Sequence, residues 1–512
     1  MFCRVRSMGL SGIEAFPVMV EVDISRGVPE FTLIGLPDAA VRESRDRVRS
    51  AIHNAGLHFP VSRILVNLAP ADIRKTRPVY DLPILMAILL ATGQVEFPQQ
   101  QYAFVGEISL SGECLPIGGV LPMAMLAKEM GCTTLFVPAG NAQEAAVVEG
   151  IRVIPVSSLA ALVEQLSSAQ PLPATVPTPF EQVNASYPVD FSEVKGQRFA
   201  KRAIEIAAAG GHNLLMIGPP GSGKSMLAKR IPTILPEMTF SEAIETTKIH
   251  SVAGMLPHGG SLIRQRPFRA PHHTISPAGL TGGGSIPHPG ELSLAHHGVL
   301  FLDEFPEFSR QAMEVLRQPL EDGTVTISRA AGRYTYPCSV MLVAAMNPCP
   351  CGYYGHPTRK CICQPSAVSR YLAKVSGPML DRLDLHVEIM PVEFEQLAGE
   401  EQAESSAAIR KRVNRARQLQ YDRLQAMGVE HPVCNARLSP RQTQQLCSLT
   451  EPARQLLKSV FDRMGMSARG YDRILKIART IADLEQSETI DTAHISQAIQ
   501  YRSLDRKYWE RG

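Results

Sequence analysis

The chain has 512 residues, of which 45% are hydrophobic and 20% are charged, and these fractions are ordinary for a globular protein. A disordered or collagen-like chain is therefore excluded, and the length favours about three domains at roughly 150 residues each. The formal net charge of +3 excludes a bulk polycation, so any binding of nucleic acid must depend on local patches or loops.

Ten cysteines in a chain of this length are far fewer than a disulfide scaffold contains. The start of the chain carries charge but lacks the apolar segment that follows in a signal peptide. The most apolar run, residues 82–91, is about half as long as the roughly 20 residues that a membrane span needs. These features predict a cytoplasmic protein with reduced thiols and no membrane partner.

The first 170 residues show an α/β pattern. Alternating apolar and polar residues or short apolar runs predict strands at 18–24, 64–68, 106–110 and 135–137. Helical spacing predicts helices at 41–55 and 82–90. Four prolines in residues 171–179 favour an extended, semi-rigid spacer, which predicts a linker over 171–186. A second α/β block is predicted over 187–395 and a helical region over 396–512.

The segment 218–225 matches the phosphate-loop pattern G-x-x-x-x-G-K-[ST], between an apolar strand at 214–217 and a predicted helix. Glycines let the backbone turn its N–H groups toward phosphates, and the helix start adds a positive dipole end. Lys224 is expected to reach the β- and γ-phosphates of ATP, and Ser225 to ligate Mg²⁺. The predicted nucleotide-binding residues are Gly218, Pro219, Pro220, Gly221, Ser222, Gly223, Lys224 and Ser225.

Two further strands predict the remaining groups of a hydrolytic site. The apolar run 299–302 ends at Asp303 and Glu304, at the end of the strand where open α/β sheets bind ligands. Asp303 is expected to hold Mg²⁺ through water, and Glu304 to polarise the attacking water. The strand 340–346 ends at Asn347, whose amide can orient that water.

Four of the ten cysteines cluster in one short loop, residues 349–363. Two C-x-C pairs separated by nine residues could close a tetrahedral, structural zinc site, with His356 as a possible substitute ligand. C-x-C spacing is tighter than the usual C-x₂-C, and plain reduced thiols are the alternative. The predicted zinc ligands are Cys349, Cys351, Cys361 and Cys363.

The order of phosphate loop, Asp-Glu strand and strand ending in Asn resembles that of AAA+ ATPases. Segments 266–273, 289–296 and 347–352 look like the magnesium-chelatase-like AAA+ group, and the whole chain resembles the YifB/ComM family. The resemblance implies an α/β P-loop AAA+ core with a helical lid, in a homo-hexameric ring. It also implies a helicase-like, ATP-dependent DNA motor for branch migration during natural transformation, acting on single-stranded and branched or double-stranded DNA.

The resemblance also assigns arginines. Segment 377–384 is similar to the one that carries the arginine finger, which implies that Arg382 reaches the ATP of a neighbouring subunit. A surface pair with Asp381 is the alternative. Segment 466–474 resembles the lid helix that carries sensor 2, for which Arg469 fits best and Arg473, one turn later, stays open.

The N-terminal region resembles the Lon proteolytic domain, of the ribosomal S5 domain 2-like fold, through segments 106–112 and 115–119. That chemistry needs a serine nucleophile and a lysine base. The chain has Leu121 where the lysine is expected, and the loop 75–80 contains no serine. The resemblance therefore implies a Lon-like domain without the catalytic dyad, and the Arg77-Pro78 pair departs from the family pattern.

Two segments are candidates to hold DNA in the pore of a ring. One is the glycine-rich stretch 279–285, and the other is the predicted hairpin 324–336, where Arg329, Arg333 and Tyr334 would contact phosphates and stack on bases. Ordinary surface charge is the alternative, as it is for the basic helical run 410–417. A ring of six would multiply a few loop arginines around one pore, which a net charge of +3 permits.

Two other functions share the ATPase core. A chaperone-like motor subunit of a metal chelatase is one, and the Lon-like N-terminal domain argues against it. A scaffold protein in which ATP controls assembly is the other, and Glu304 argues against that, because the hydrolytic base is present.

Overall fold

The computed structural model describes residues 1–168, 170–180, 187–257, 259–284, 286–329, 332–392, 403–429 and 433–509. The strands in the first third of the chain are β1 (Phe2–Ser11), β2 (Glu14–Ser25), β3 (Glu30–Ile34), β4 (Arg63–Ala69), β5 (Tyr102–Phe104), β6 (Glu107–Ile108), β7 (Cys114–Leu115), β8 (Thr134–Pro138) and β9 (Arg152–Val156). The helices there are α1 (Ala39–Arg42), α2 (Ser44–Asn54), α3 (Asp81–Ala91), α4 (Val120–Glu129), α5 (Ala142–Ala146) and α6 (Leu159–Ser167).

The strands of the remaining chain are β10 (Leu214–Ile217), β11 (Phe268–Arg269), β12 (Gly282–Gly283), β13 (His288–Pro289), β14 (Val299–Leu302), β15 (Thr324–Arg329), β16 (Gly332–Pro337), β17 (Met341–Met346) and β18 (Leu385–Glu388). The helices up to β18 are α7 (Arg198–Gly210), α8 (Lys224–Ile234), α9 (Phe240–Val252), α10 (Pro277–Thr281), α11 (Glu291–Leu294), α12 (Arg310–Glu314), α13 (Arg317–Asp322), α14 (Pro365–Leu372) and α15 (Gly377–Leu380). The C-terminal helices are α16 (Ser406–Ala426), α17 (Pro440–Leu446), α18 (Glu451–Met464), α19 (Ala468–Leu484), α20 (Thr492–Gln500) and α21 (Leu504–Tyr508).

The N-terminal sheet has seven strands in the order β3-β4-β2-β1-β5-β8-β9. β2 pairs antiparallel with both β1 and β4, whereas β5, β8 and β9 run parallel to one another. α3 packs against β1 and β2, and every residue from 81 to 89 is buried. A helix apolar on all sides is expected at the centre of a domain, and α3 forms the middle of this core.

A second, five-stranded sheet is entirely parallel, in the order β11-β14-β17-β10-β18. Every residue of β10, β14 and β17 is buried. Continuous apolar runs of this kind are typical of parallel strands with helices on both faces. The carboxyl ends of these strands meet at one edge, where the predicted phosphate and acid residues follow them.

The C-terminal helices share a hydrophobic core with this sheet. Ile409 and Val413 of α16 and Ile481 of α19 lie in the same buried cluster as Ile206 of α7 and Val343 of β17. The helical region is therefore fixed to the sheet by apolar contact, as the predicted lid requires.

Residues 171–180 lie against the N-terminal sheet. The Thr175 N–H donates to the Val153 carbonyl at 2.8 Å, and Arg152 donates to the Leu172 carbonyl at 3.1 Å. The segment is attached to β9 by these bonds. Residues 181–186 of the predicted linker and the predicted limit at 395 and 396 lie outside the described residues, so the domain limits stay predictions.

Most elements predicted in the N-terminal region are present with shifted ends. The helix predicted over 41–55 is two helices, because ψ at Glu43 opens to −14° from the roughly −42° of a regular helix. The strand predicted at 106–110 is reduced to Glu107–Ile108, since only this pair bonds to β7. Among the described residues, no helix is both long and apolar enough to cross a membrane.

Candidate phosphate and metal sites

The predicted phosphate loop connects β10 to α8 at the carboxyl edge of the parallel sheet. Gly221 and Gly223 have φ angles of 74° and 92°, in the left-handed region that favours glycine. A Cβ built on Gly218 would lie 2.3 Å from the Ile389 carbonyl oxygen, so no side chain fits there. These contacts explain in physical terms why the loop needs its glycines.

Lys224 lies over this loop with its side chain largely buried. Its Nζ donates to the carbonyl oxygens of Gly218 and Pro219 at 2.8 and 2.9 Å, and to Asn347 Oδ1 at 3.2 Å. Burial lowers the pKa of the lysine, and the charge of Asp303 opposes that shift. The ammonium is thus held by neutral oxygens at the place where phosphates would supply negative charge.

Ser225 and Asp303 face each other between α8 and the end of β14. Ser225 Oγ donates to Asp303 Oδ2 at 2.6 Å, and Asp303 Oδ1 accepts from the Glu304 N–H at 2.9 Å. Hydroxyl and carboxylate oxygens are hard ligands of the kind that Mg²⁺ prefers in phosphate sites, and here they lie close enough to share one ion. The structure therefore brings together the two residues predicted to bind magnesium.

Glu304 is the exposed carboxylate of the site. Its backbone is left-handed (φ 51°), and 58% of its side-chain surface is accessible. Glu304 Oε2 lies 3.0 Å from His273 Nδ1, a residue of the loop that follows β11. No metal or catalytic spacing marks His273 in the sequence, so this pair is not predicted from it.

The structure also fits a triphosphate through atoms that lack other partners. Ser222 Oγ is buried in the loop and has no hydrogen-bond partner among the described residues. A Cβ on Gly221 would meet no described atom within 4 Å, so the loop is open on that side. Gln197, absent from the predicted site, donates its side-chain amide to the Met390 carbonyl at 2.5 Å and, more distantly, to the Ser222 carbonyl. The residues present therefore fit ATP with Mg²⁺.

Arg382 lies at the opposite edge of the parallel sheet. It precedes β18, and its carbonyl accepts from Asn213, the residue before β10. Its guanidinium pairs with Glu321 at 2.6 Å and is 11% exposed. The length of β10 thus separates Arg382 from the phosphate loop of its own chain, and the alternative pair with Asp381 is not formed.

The two sensor 2 candidates start α19 on that same edge. Arg473 pairs with Asp381 at 3.3 Å and with Asp384 at 3.6 Å, and Asp384 accepts from the Asn213 N–H. Arg469 is exposed. Arg473 is therefore committed to carboxylates near the amino ends of β10 and β18, whereas Arg469 faces solvent.

The four predicted zinc ligands are close together. Sγ of Cys349 lies 3.4 Å from that of Cys351 and 3.7 Å from that of Cys361, and Cys351 and Cys361 are 3.6 Å apart. With Cys363 included, all four sulfurs lie within 4.8 Å of one another. Tetrahedral zinc with Zn–S of about 2.3 Å places sulfurs about 3.8 Å apart, so the cluster fits the ion.

The cysteine loop contacts the phosphate loop. A Cβ built on Gly352, which has a φ of 83°, would lie 2.4 Å from Cδ of Pro220. His356 bonds instead to the Thr358 and Arg359 N–H groups through Nδ1, away from the sulfur cluster. Glycine at 352 therefore allows the two loops to pack directly together.

The predicted hairpin is present as β15 and β16, paired antiparallel from Thr324 to Arg329. Its turn, residues 330–331, lies outside the described residues. Arg329 and Arg333 are exposed at the tip, as a DNA contact requires. Tyr334 is partly covered by the turn between β1 and β2. A Cβ built on Gly12 of that turn would lie 3.2 Å from Cδ1 of the Tyr334 ring.

The glycine-rich stretch 279–285 is ordered in its described part, as the end of α10 and the strand β12. β12 pairs with β13, and the Gly284 carbonyl lies 3.4 Å from Arg329 Nε. The two predicted DNA segments are therefore neighbours.

The basic run 410–417 lies on α16, as predicted. Arg412 pairs with Glu205 and Glu404, and Arg417 donates to the Ala208 carbonyl at 3.0 Å. These two arginines serve contacts within the chain. Lys411 and Arg415 are exposed.

Three family models match the chain in sequence order. The model described as "Subunit ChlI of Mg-chelatase" matches residues 20–141, "Magnesium chelatase, subunit ChlI" matches residues 190–397, and the model for the C-terminal part of that subunit matches residues 403–502. The matches and the phosphate site define a magnesium-chelatase-like AAA ATPase.

Relatives cover almost the whole chain. The protein is 42% identical over 505 residues to YifB of Escherichia coli (98% of this chain, 97% of the relative). It is 42% identical over 508 residues to competence protein ComM of Haemophilus influenzae, with the same coverage. An uncharacterized protein of Mycobacterium bovis is 40% identical over 501 residues, covering 98% of both chains. The protein therefore belongs to the YifB/ComM family.

Proposed function

We propose that the protein is a homo-hexameric, ATP-driven DNA motor that promotes branch migration when incoming DNA is recombined in natural transformation. The observation that carries this proposal is the hairpin of β15 and β16, which presents Arg329 and Arg333 to solvent from an ATPase core. Similarity over 98% of the chain, at 42% identity, to a protein named as a competence protein supports it. The proposed place of action is the cytoplasm.

ATP hydrolysis is proposed to depend on groups that follow β10, β14 and β17 at the carboxyl edge of the sheet. Lys224 binds the phosphates. Ser225 and Asp303 hold Mg²⁺. Glu304 accepts the proton of the attacking water, which Asn347 orients. Bound Mg²⁺ supplies charge neutralisation on the β- and γ-phosphates.

The arginines are proposed to act on the ATP of a neighbouring subunit. Arg382 and both sensor 2 candidates lie at the edge opposite the phosphate loop, which supports a site completed in trans. Of the two candidates, the exposed Arg469 is the better sensor 2, because Arg473 is paired with Asp381 and Asp384. A site that needs two subunits explains why the motor would be a ring.

DNA is proposed to be held by its backbone in the pore. Arg329 and Arg333 would contact phosphates, and Tyr334 would need to leave Gly12 before it could stack on a base. Six copies around one axis would sum the charge of these arginines. Such binding is expected to be largely independent of sequence and to weaken with salt.

The other parts of the chain are proposed to support the ring. The cysteine loop holds Zn²⁺. The role of this ion is structural, because four protein ligands leave no open position for chemistry. The N-terminal domain, proposed to have a Lon-protease-like fold without the dyad, serves assembly or DNA handling rather than proteolysis. Leu121 cannot act as a base, and the loop 75–80 has no serine to act as nucleophile.

The alternative is a chaperone-like ATPase subunit of a metal chelatase. All three family models carry a chelatase description, including the one that matches residues 20–141. The N-terminal domain therefore does not separate this alternative from the DNA motor, contrary to the expectation from the sequence. A response to DNA is needed to separate them.

The experiment is the ATPase rate of the wild-type protein with and without single-stranded and branched DNA. We expect both DNAs to bind and to raise kcat, with the response weakened by salt. A protein that fails to retain DNA and whose ATPase rate does not change with DNA would contradict the DNA motor and favour the chelatase alternative.

A further inference from the structure

We propose that the N-terminal domain contains a socket for helix α9 of the ATPase core, and that this contact sets the position of the strand carrying Asp303 and Glu304. The socket, called the α9 socket below, consists of Arg77, Gly119, Leu121 and Glu144. Its occupant is α9 of the same chain, through Ile244, Ser251 and Val252. The inference rests on the ATPase domain and is independent of DNA.

Backbone carbonyls at the end of α9 accept hydrogen bonds from the socket. The Gly119 N–H lies 3.1 Å from the Ser251 carbonyl and 3.0 Å from Ser251 Oγ. Arg77 Nη2 donates to the Val252 carbonyl at 3.1 Å. The last carbonyls of a helix lack partners within the helix, so an arginine and a backbone amide are suitable groups to bind them.

Glu144 is the buried acid of the socket. One of its oxygens accepts from the Leu121 N–H at 2.8 Å, and the other accepts from Asn141 Nδ2 at 3.1 Å. The Ser251 hydroxyl donates to Glu144 Oε1, the oxygen that also accepts from the Leu121 N–H. Burial raises the pKa of this carboxyl, and the donated hydrogen bonds oppose that shift. Among the described residues, Ser251 is thus the one donor to the Glu144 carboxylate that comes from the ATPase core. The other donors belong to the N-terminal domain.

An apolar contact completes the socket. Leu121 is fully buried in a cluster with Leu262, and Ile244 of α9 packs against the same cluster. Both partners belong to the ATPase core. The position at which a protease of the resembling type would carry lysine therefore holds the two domains together, and an ammonium there would lose its hydration.

The opposite side of α9 contacts the segment that leads into β14. Glu245 Oε2 accepts from His296 Nε2 at 3.1 Å and from His297 Nε2 at 2.9 Å. His250 Nε2 contacts the Leu294 carbonyl at 2.9 Å. A displacement of α9 in the socket would therefore be transmitted to the start of the strand that ends at Asp303.

This trio of Glu245, His296 and His297 is close enough to suggest a metal site, but the hydrogen bonds favour a structural role. The Ser339 N–H donates to His296 Nδ1 at 2.9 Å. A neutral imidazole that accepts at Nδ1 carries its proton on Nε2, which then donates to Glu245 and cannot ligate a metal. The trio is a proton-mediated link between α9 and β14.

The test uses the full chain with two substitutions in the socket contact, Ser251→Ala and Leu121→Lys. Ser496→Ala, on the exposed face of α20, and Leu110→Lys, at an exposed site of the N-terminal domain, are the matched controls. Hydrogen exchange is measured for peptides covering 240–252 and 82–90. Steady-state ATPase kinetics without DNA give kcat and KM.

We expect both socket variants to exchange about tenfold faster over 240–252, with residues 82–90 protected as in the wild type. We expect kcat to fall about fivefold or more while KM stays within about twofold, because the phosphate loop is not touched. Unchanged exchange over 240–252 would overturn the socket, and faster exchange with unchanged kcat would overturn its effect on β14. If Leu121→Lys unfolds the N-terminal core, Ser251→Ala decides the result.

Discussion

Glu304 is the carboxylate in the best position to accept a proton from water at the phosphate site. Replacing it with glutamine keeps the shape and removes the base. We expect kcat for ATP to fall at least about 100-fold in Glu304→Gln, since a general base contributes about 10²–10⁴-fold, while ATP binding is retained. Glu307→Gln, three residues on and paired with Lys374, is the control and should keep the wild-type rate. A variant at Glu304 with more than about a tenth of the wild-type rate would contradict its role as the base.

His273 restrains that base in the structure. Its Nδ1 lies 3.0 Å from Glu304 Oε2, and this pair must open before that oxygen can take a proton from water. We expect His273→Ala to raise the rate without DNA by about tenfold, the effect of a charged hydrogen bond worth about 1.5 kcal/mol. His272→Ala is the matched control, because His272 bonds to Thr274 instead. An unchanged or lower rate in His273→Ala would show that the pair does not limit hydrolysis.

The cysteine loop is an element that lacks a core of its own, and its packing on Pro220 connects it to the phosphate loop. Purified wild-type protein should contain about one zinc per chain, and Cys361→Ser should reduce this below about half an equivalent and lower Tm. Cys434→Ser, outside the cluster, should change neither quantity. Metal analysis that finds less than about half an equivalent in the wild type would contradict the zinc site.

The hairpin of β15 and β16 carries the proposed DNA contacts. We expect the double variant Arg329→Ala, Arg333→Ala to weaken binding of single-stranded DNA. It should also reduce the slope of log K against log salt by about 1.4, at about 0.7 for each phosphate that is no longer neutralised. The pair Arg26→Ala, Arg45→Ala in the N-terminal domain removes the same charge elsewhere and should leave the slope unchanged. Equal effects in both double variants would mean that total charge, rather than the hairpin, controls binding.

At the scale of the whole molecule, the phosphate loop and Arg382 lie at opposite edges of one sheet. If the site is completed by a neighbour, Lys224→Ala and Arg382→Ala should each be inactive alone. An equal mixture should recover up to about a quarter of the wild-type rate, because a quarter of the interfaces in random rings combine two intact halves. A mixture as inactive as its parents would contradict completion in trans.

The parts of the fold and site that follow most directly from the sequence are those where a short apolar run ends in polar groups. β10, β14 and β17 and the residues that follow them were predictable because parallel strands expose their carboxyl ends at one edge. The cysteine cluster was predictable because its ligands are close in sequence. Local spacing indicates both kinds of feature directly.

What was missed depends on contacts between distant segments. The pair of His273 with Glu304, the cover that Gly12 gives Tyr334, and the commitment of Arg417 to α7 each join separate parts of the chain. The sequence marks Leu121 as unable to act as a base, yet its burial with Leu262 and the packing of Ile244 against them could not be read from its neighbours in sequence. Such contacts appear only when segments that are distant in sequence are packed together.

The most direct test of the DNA motor is a branch-migration assay with a labelled three-strand junction, measured for the wild-type protein and for Glu304→Gln. The wild type should resolve the junction when ATP and Mg²⁺ are present, and should fail when a non-hydrolysable ATP analogue replaces ATP. Glu304→Gln should bind the junction without moving it, since its phosphate loop is intact. A wild-type protein that hydrolyses ATP and leaves the junction unmoved would contradict the proposed function.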